Sequence, residues 1–245
     1  MDSNGHIKIQ LHNHTKYSID SMLPFWAIRQ LCIKNNIDVI AITDHNSLEG
    51  GLRFKEYCET RGNRPYVIAG SEIMTTQGEI IGLYLQEEIV PFQSVEDTIA
   101  QIQAQGGIVY VPHPYDEKRW RTVLQDDALE KYAHQVDCIE VWNGRNSESF
   151  FGLEQEKRAQ KYNLMPVVGA DAHTVFEFGK NYILGSHIPK SRDEFVEVLQ
   201  NARLVQGSVQ SFPHLITKLE RIIRLIGKGD WRGIIRIINR KLRKS

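Results

Sequence analysis

From His6 to Leu11 apolar and polar residues alternate (His6-Ile7-Lys8-Ile9-Gln10-Leu11), the period of a strand with one buried face. More continuous, β-branched runs follow at residues 39–43 (VIAIT), 66–69 (YVIA), 108–111, 138–142 and 165–169, and each reads as a further strand. Longer stretches at helical spacing lie between them. Residues 23–35 predict a helix with Pro24 in its first turn, where the missing N–H costs nothing. Residues 48–60, 94–105 and 147–162 predict three more, with Ser94 and Asp97 at capping-box spacing. Ser191 with Glu194 caps another helix. After the third strand, "EIMTTQGEIIGLYL" predicts a hairpin turning at Gln77-Gly78. No internal repeat or low-complexity linker interrupts the order. Strand, helix, strand, repeated, implies a mainly parallel sheet. Six or seven such units in 245 residues favour closure into one α/β barrel.

Composition narrows the class. With 41% hydrophobic and 24% charged residues the chain is an ordinary globular protein. Its polar opening, Met1-Asp2-Ser3-Asn4-Gly5, has no apolar core of signal-peptide length. No apolar run approaches the roughly 18 residues of a membrane span. Cys32, Cys58 and Cys138 are few, odd in number and far apart, which argues against a disulfide framework. The expectation is a cytoplasmic protein whose thiols are small core residues. The net charge of zero hides a split: residues 212–245 carry ten Lys and Arg against two acidic residues, a balance of +8, which leaves the body at −8. A tail of that sign is expected to meet something the body does not.

The His, Asp and Glu residues cluster after the strands. His12, His14 and Asp20 follow the first, Asp44 and His45 the second, Glu72 the third, and His113 the strand at 108–111. Glu140 lies inside the strand at 138–142, and Asp171 and His173 come just after the strand at 165–169. In a (β/α) barrel the carboxyl ends of the strands share one face, where active sites are assembled. Singly each residue has an ordinary explanation: Asp44 as turn chemistry or a helix cap, Glu72 as a surface glutamate, His113 as part of a rigid Pro-His-Pro turn. Their shared position after successive strands makes a common site the stronger reading. Imidazole and carboxylate together suit Zn, Mn or Fe, and the absence of thiolates from the set argues against a structural Cys-rich zinc site. So many ligands exceed the needs of one tetrahedral ion and suffice for two or three. Clustered ions generate hydroxide near neutral pH and neutralise charge on a phosphoryl oxygen.

Together "LHNHTKYSIDS", "AITDHN", "AGSEI", "VPHP" and "GADAHT", in this order, resemble the motifs of the PHP (polymerase and histidinol phosphatase) superfamily of metal-dependent phosphoesterases. The resemblance runs from about residue 7 to about residue 185. It implies a distorted (β/α)7 barrel holding two or three divalent metal ions, with His12, His14, Asp20, His45, Glu72, His113, Asp171 and His173 as ligands. Asp44 would then orient His45 or help the loop turn. The chain departs from the family at "GEIIGLYL", which offers Glu79 where many members place a histidine. Either Glu79 supplies an oxygen ligand instead, or it is a solvated hairpin carboxylate and one metal is held less firmly. In "IEVWNGR", Glu140 points either beneath the metals or outward to a helix, and Trp142 and Asn143 are candidates for the pocket wall.

Arg145 is the leading candidate for clamping a substrate phosphate, with a surface salt bridge as the alternative. Lys16 and Tyr17, inside the first metal loop, are further candidates, and His187 is a candidate acid for the leaving group. The acidic body argues for a small phosphorylated metabolite, a nucleotide or a short oligonucleotide end as substrate, and against duplex nucleic acid. Two other functions stay open: hydrolysis of a non-phosphate bond, and a non-catalytic docking module that uses its metals structurally. Residues 1–211 are expected to form the barrel. The tail at 212–245 reads as a pair of basic amphipathic helices, Leu215, Leu219, Ile222 and Ile226 in one stripe and Trp231, Ile235, Ile238 and Leu242 in the next. Residues 214–245 fit either a peripheral membrane contact or packing on the barrel or a partner.

Overall fold

The alternation seen in the sequence decides what each strand turns inward. In the computed structural model, which describes residues 5–208 together with Ile216, Thr217, Ile223 and Ile226, seven strands close on one another. They are β1 (Ile7–Asn13), β2 (Val39–His45), β3 (Tyr66–Thr75), β4 (Gly78–Leu83), β5 (Ile108–Val111), β6 (Cys138–Asn143) and β7 (Met165–Ala172). Ile7, Ile9 and Leu11 of β1, Val39 and Ala41 of β2, Ile108 and Tyr110 of β5 and Val167 of β7 belong to a single buried cluster. Residues two apart on a strand share a face, so this cluster is the barrel's inside.

The opposite faces pack under helices. Ile40 and Ile42 join Ile28 and Cys32 of α1 (Phe25–Lys34) and Phe54 and Cys58 of α2 (Glu49–Glu59). Val109, Val111 and Ile139 join Ile99 and Ile102 of α3 (Val95–Ala104) and Leu129 of α4 (Asp126–Tyr132). Two further helices, α5 (Phe150–Tyr162) and α6 (Arg192–Gln200), complete the ring, and Phe195 and Val198 of α6 reach the inner cluster. Cys32, Cys58 and Cys138 are all free and buried, as expected of small core residues.

Two antiparallel strands distort the pattern. β4 runs antiparallel to both neighbours, β3 and β5, while the other barrel pairings are parallel. The hairpin expected around Gln77-Gly78 is there, but β3 continues unbroken through Thr75, so no helix separates the third and fourth strands. The second departure is β8 (Tyr182–Gly185), which pairs antiparallel with the first half of β1 and carries the short β9 (Arg203–Val205) on its outer edge.

Local chemistry follows the expected devices with small shifts. Ser94 accepts a hydrogen bond from the Asp97 N–H at 3.0 Å and Ser191 one from the Glu194 N–H at 3.3 Å, as capping residues do. Pro24 sits at the cap of α1 rather than in its first turn, its carbonyl accepting from Ala27 and Ile28. The 3-10 turn Glu117–Arg119 and helix α4 had no counterpart in the sequence reading. The expected helices of the basic tail fall outside the described residues, apart from the four positions named above.

Candidate metal centre

The strands deliver their polar side chains through irregularities in the ladder. Between Gln10 and Asn13, β1 has one residue more than β2, and between Gly169 and Ala172, β7 has one more than β1. His12 (φ 59°) and Asp171 (φ 49°), at these bulges, adopt left-handed backbone, as does His113 (φ 28°) just past β5. Upstream of its bulge β1 turns Ile7, Ile9 and Leu11 inward; one extra residue reverses that phase, so that His12 and His14 face the barrel mouth. Left-handed residues other than glycine cost on the order of 1–3 kcal/mol each and collect where function demands a geometry the regular strand cannot give. Glu79 reaches the same mouth by another route. Because β4 is antiparallel, its beginning rather than its end lies at the carboxyl rim of the parallel strands, with Glu79 opposite Met74.

Glu72 is the hub. One of its oxygens, Oε2, lies 3.3 Å from His12 Nε2, 3.5 Å from His14 Nε2 and 3.1 Å from His45 Nδ1, and the other, Oε1, lies 3.0 Å from His113 Nε2. Glu79 sits 3.5 Å from both His45 Nδ1 and His113 Nε2. Asp171 Oδ1 lies 3.6 Å from His12 Nε2 and 3.5 Å from His14 Nε2. Asp20 lies 3.5 Å from His45 Nε2 and 3.2 Å from His173 Nε2. These atoms form overlapping groups: His14, Asp20, His45 and His173; His12, His14 and Asp171; His12, Glu72 and His113; His45, Glu72 and Glu79. Donors about 2.1 Å from a shared tetrahedral ion stand about 3.4 Å apart, so most of these spacings match ligands around an ion better than hydrogen bonds.

The unpartnered atoms make the same point. His12 Nε2, both nitrogens of His14, His173 Nε2, His113 Nδ1 and Glu72 Oε2 are buried without a hydrogen-bond partner among the described residues. Buried polar atoms are ordinarily paired, and a group of orphaned imidazole nitrogens facing carboxylates is the expected form of a metal site seen through its protein atoms alone. The donor set therefore fits divalent metal ions. All eight ligands implied by the family resemblance fall in this cluster, and so does Glu79, 4% exposed, which rules out the solvated hairpin carboxylate.

Glu140 holds the arrangement from below. Its Oε1 accepts from His12 Nδ1 at 2.7 Å and from the Tyr110 hydroxyl; its Oε2 accepts from the His113 N–H at 2.7 Å and from Asn143 Nδ2 at 2.8 Å. With Nδ1 donating, His12 turns its Nε2 lone pair to the mouth, the orienting role that carboxylates play behind metal-binding histidines. His173 is set likewise, its Nδ1 donating to the Asp171 carbonyl at 2.9 Å. Gly169 makes room, since a Cβ there would lie 1.9 Å from Glu140 Oε1. Asp44 neither orients His45 nor caps α2. It accepts from the Thr15 N–H at 2.6 Å and the Thr15 hydroxyl at 2.7 Å, pinning the loop that carries His14 and Asp20.

Charge is balanced inside the cluster. Burial opposes a proton on His12, but Glu72, Asp171 and Glu140 outweigh it and push its pKa well above the ordinary 6.5. His45 is raised in the same way, against burial, by Glu72 and Asp20. His14 goes the other way: burial first, then the neighbouring His173, press it down to about 3. Burial would raise Glu72, Asp171 and Asp20, yet the surrounding imidazoles hold all three well below the usual carboxylate range. Glu79 is raised by burial and by the charge of Glu72.

Above the cluster lies a cavity of about 290 Å³ lined by Asp20, His45, Glu72, Glu79, His113, Asp171 and His173, and walled by Lys118, Arg119, Trp120, Arg121 and Arg145. Arg145 is thus at the cavity, but it is buried and engaged, Nε to Glu177 at 2.9 Å and Nη2 to the Thr217 hydroxyl. Asn143 is no pocket wall: it donates to Glu140 and accepts from the Arg145 N–H and Arg119 Nη2. Lys16 is exposed and lies over the rings of Tyr17 and Phe25, outside the cavity lining. His187 is at the wrong end of the molecule. Gly185, two residues before it, pairs with Ile7 at the start of β1, so His187 lies on the order of 15–20 Å from the metal ligands. The sequence reading missed Arg119, whose segment shows neither strand nor helix periodicity; the only signal was a cationic run, Lys118-Arg119-Trp120-Arg121.

Residues 10–148 match the PHP domain family, and the chain belongs to it. Two uncharacterized proteins of Methanocaldococcus jannaschii are similar in sequence. One is 35% identical over 184 residues, 74% of this chain and 72% of the relative; the other is 43% identical over 121 residues, 44% and 68% respectively. A two-domain Bacteroides vulgatus protein described as containing a predicted PHP-like metal-dependent phosphoesterase superposes with a TM-score of 0.65 at 18% identity, over 84% of this chain and 67% of that one. PsfC from Pseudomonas syringae superposes with a TM-score of 0.59 at 15% identity, over 89% and 98%. At these identities the two structures establish the shared barrel.

Proposed function

We propose that the protein is a divalent-metal-dependent phosphoesterase acting on a small phosphate ester, a nucleotide or a short oligonucleotide end. The observation that carries this reading is Glu72, a buried carboxylate with nitrogens of four histidines within 3.5 Å. His12, His14, Asp20, His45, Glu72, Glu79, His113, Asp171 and His173 would hold two or three ions of the Mn, Fe or Zn type. When bound, such ions activate water and neutralise phosphoryl charge. The chain's own part is to fix the ligands and to admit an anion. Glu140 sets the His12 ring, Asp44 pins the first loop, and the cationic wall of Lys118, Arg119 and Arg121 faces the cavity. A cavity of this size accepts a small ester or a strand end and excludes a duplex. No helix among the described residues is long and apolar enough to cross a membrane.

The test is turnover of a panel of phosphomonoesters and phosphodiesters with added Mn²⁺, comparing the protein with a His12→Ala/His14→Ala double variant. The expected result is hydrolysis by the parent and none by the variant. Equal rates would assign the activity to a contaminant. A fully metal-loaded parent that turns over nothing in the panel would favour the docking module instead.

A further inference from the structure

We propose that Arg119, rather than Arg145, is the guanidinium that binds the phosphoryl group of the substrate. This rests on the phosphoesterase reading above and assigns its anion site. Arg119 lines the cavity beside Asp171 and His173 and is held from three sides. Its Nε donates to Asp116 at 2.7 Å, its Nη1 to Asp171 Oδ2 at 2.6 Å and its Nη2 to Asn143 Oδ1 at 3.1 Å.

A guanidinium carries five N–H groups, and these bonds use three. The other two, one on each terminal nitrogen, have no partner among the described residues. Two donors on the terminal nitrogens of one rigid guanidinium suit the oxygens of a phosphoryl group. The fork is also pre-set: Asp116 belongs to its own turn, Asn143 to β6 and Asp171 to β7, so little side-chain freedom remains to be lost on binding.

The link to the metal ligands is short. Asn143, which receives Arg119, donates to Glu140, which in turn receives His12. The guanidinium and the ligand cluster are thereby built on one hydrogen-bonded frame. Asp171 divides its two oxygens between them, Oδ1 toward His12 and His14 and Oδ2 toward Arg119. Arg145 is bound on different terms, paired with Glu177 and with Thr217.

The experiment is calorimetric titration of inorganic phosphate into the Mn²⁺-loaded protein, with metal content measured on the same samples, for the parent, Arg119→Lys, Asp116→Asn and Arg145→Lys. Loss of one charge-assisted bidentate contact predicts phosphate affinity weakened about 10- to 100-fold in Arg119→Lys. Asp116→Asn, which touches no metal ligand, loosens the fork and is expected to weaken phosphate several-fold with the metal content intact. It decides the matter if Arg119→Lys also loses an ion through Asp171. Arg145→Lys is expected to bind within about twofold of the parent, since Arg145 is already spoken for. Phosphate binding unchanged in both Arg119→Lys and Asp116→Asn, or no phosphate binding by the loaded parent, would overturn the proposal. A parent that binds phosphate through Arg119 yet hydrolyses no ester would leave this assignment standing and overturn the phosphoesterase reading alone.

Discussion

The lower half of the barrel interior is filled by Ile7, Ile9, Val39, Ile68 and Val167, and the upper half, on or just past the same strands, by His12, His14, His45, Glu72 and Asp171. Both halves are buried, except that His45 is half-buried. Below, every side chain is satisfied by contact, and burial of apolar surface at about 25 cal/mol per Å² supports the fold. Above, imidazole nitrogens lack partners among the described residues and three site residues hold left-handed backbone. The ligand cluster therefore costs stability that the apolar floor must supply, and bound ions would return it by binding the folded state alone. Changes in the two halves should fail in opposite ways.

The largest effect is expected from the hub. Glu72→Gln keeps the shape and removes the charge that four histidines face. Loss of an ion worth several kcal/mol to phosphoryl transfer predicts a fall in kcat/KM on the order of 10³-fold or more. Metal analysis should show fewer ions per chain. Full loading with half the parent rate would remove Glu72 from the centre of the argument. On the floor the pattern reverses. Ile9→Ala, at a fully buried position, should cost roughly 2–5 kcal/mol of unfolding free energy and leave the metal content of the folded protein unchanged.

Metal removal joins the two halves through pH. In EDTA, His12 and His45 have folded pKa values raised above 6.5. Their pairing with carboxylates is thus fully present below pH 6.5 and is lost as pH rises through the raised values. Asp20, Glu72 and Asp171 are depressed below ordinary values of 3.8 to 4.5, so their contribution is present above that range and lost as pH falls through the lowered values. The stripped protein should melt highest between about pH 4.5 and 6.5 and lower on either side, from these groups. Stabilisation by added Mn²⁺ should grow as pH rises from 6.5, because the ions then displace fewer protons. A melting temperature in EDTA that climbs from pH 6.5 to 8 would contradict this charge assignment.

Much of this was legible in the sequence because strand period and strand end are written in it. Alternation identified β1, and the position of His12, His45, Glu72, His113 and Asp171 after apolar runs placed them on one face. Strand direction is not written in the same way, since side-chain period is identical for parallel and antiparallel strands. That one gap accounts for two outcomes. Glu79, at the beginning of a strand, reads from the sequence as either ligand or surface residue, and the antiparallel run of β4 brings it to the site. His187 follows a strand-like run, which brings it to the site only if that strand is parallel, and β8 is antiparallel to β1. Arg119 is opaque for another reason: it is fixed by Asn143 and Asp171, 24 and 52 positions away, which no local pattern encodes, and the choice for Glu140 between pointing beneath the metals and outward is settled by His12, 128 positions away.

The smallest effect, and the cleanest control for the division into two ends, belongs to His187. Its one hydrogen bond among those described is with the adjacent Ser186, at 3.0 Å, and it lies beyond the end of β8 that meets the start of β1. An imidazole there can neither reach a leaving group in the cavity nor order a ligand. His187→Ala should change unfolding free energy by no more than about 0.5 kcal/mol and kcat/KM by no more than about twofold, with the metal content unaltered. The same substitution at His12 or His14, carried on the same barrel, should abolish turnover. If His187→Ala instead lowered kcat with an altered pH profile, a proton would be crossing the apolar floor, and Ile7, Ile9 and Val39 leave no polar path for it to take.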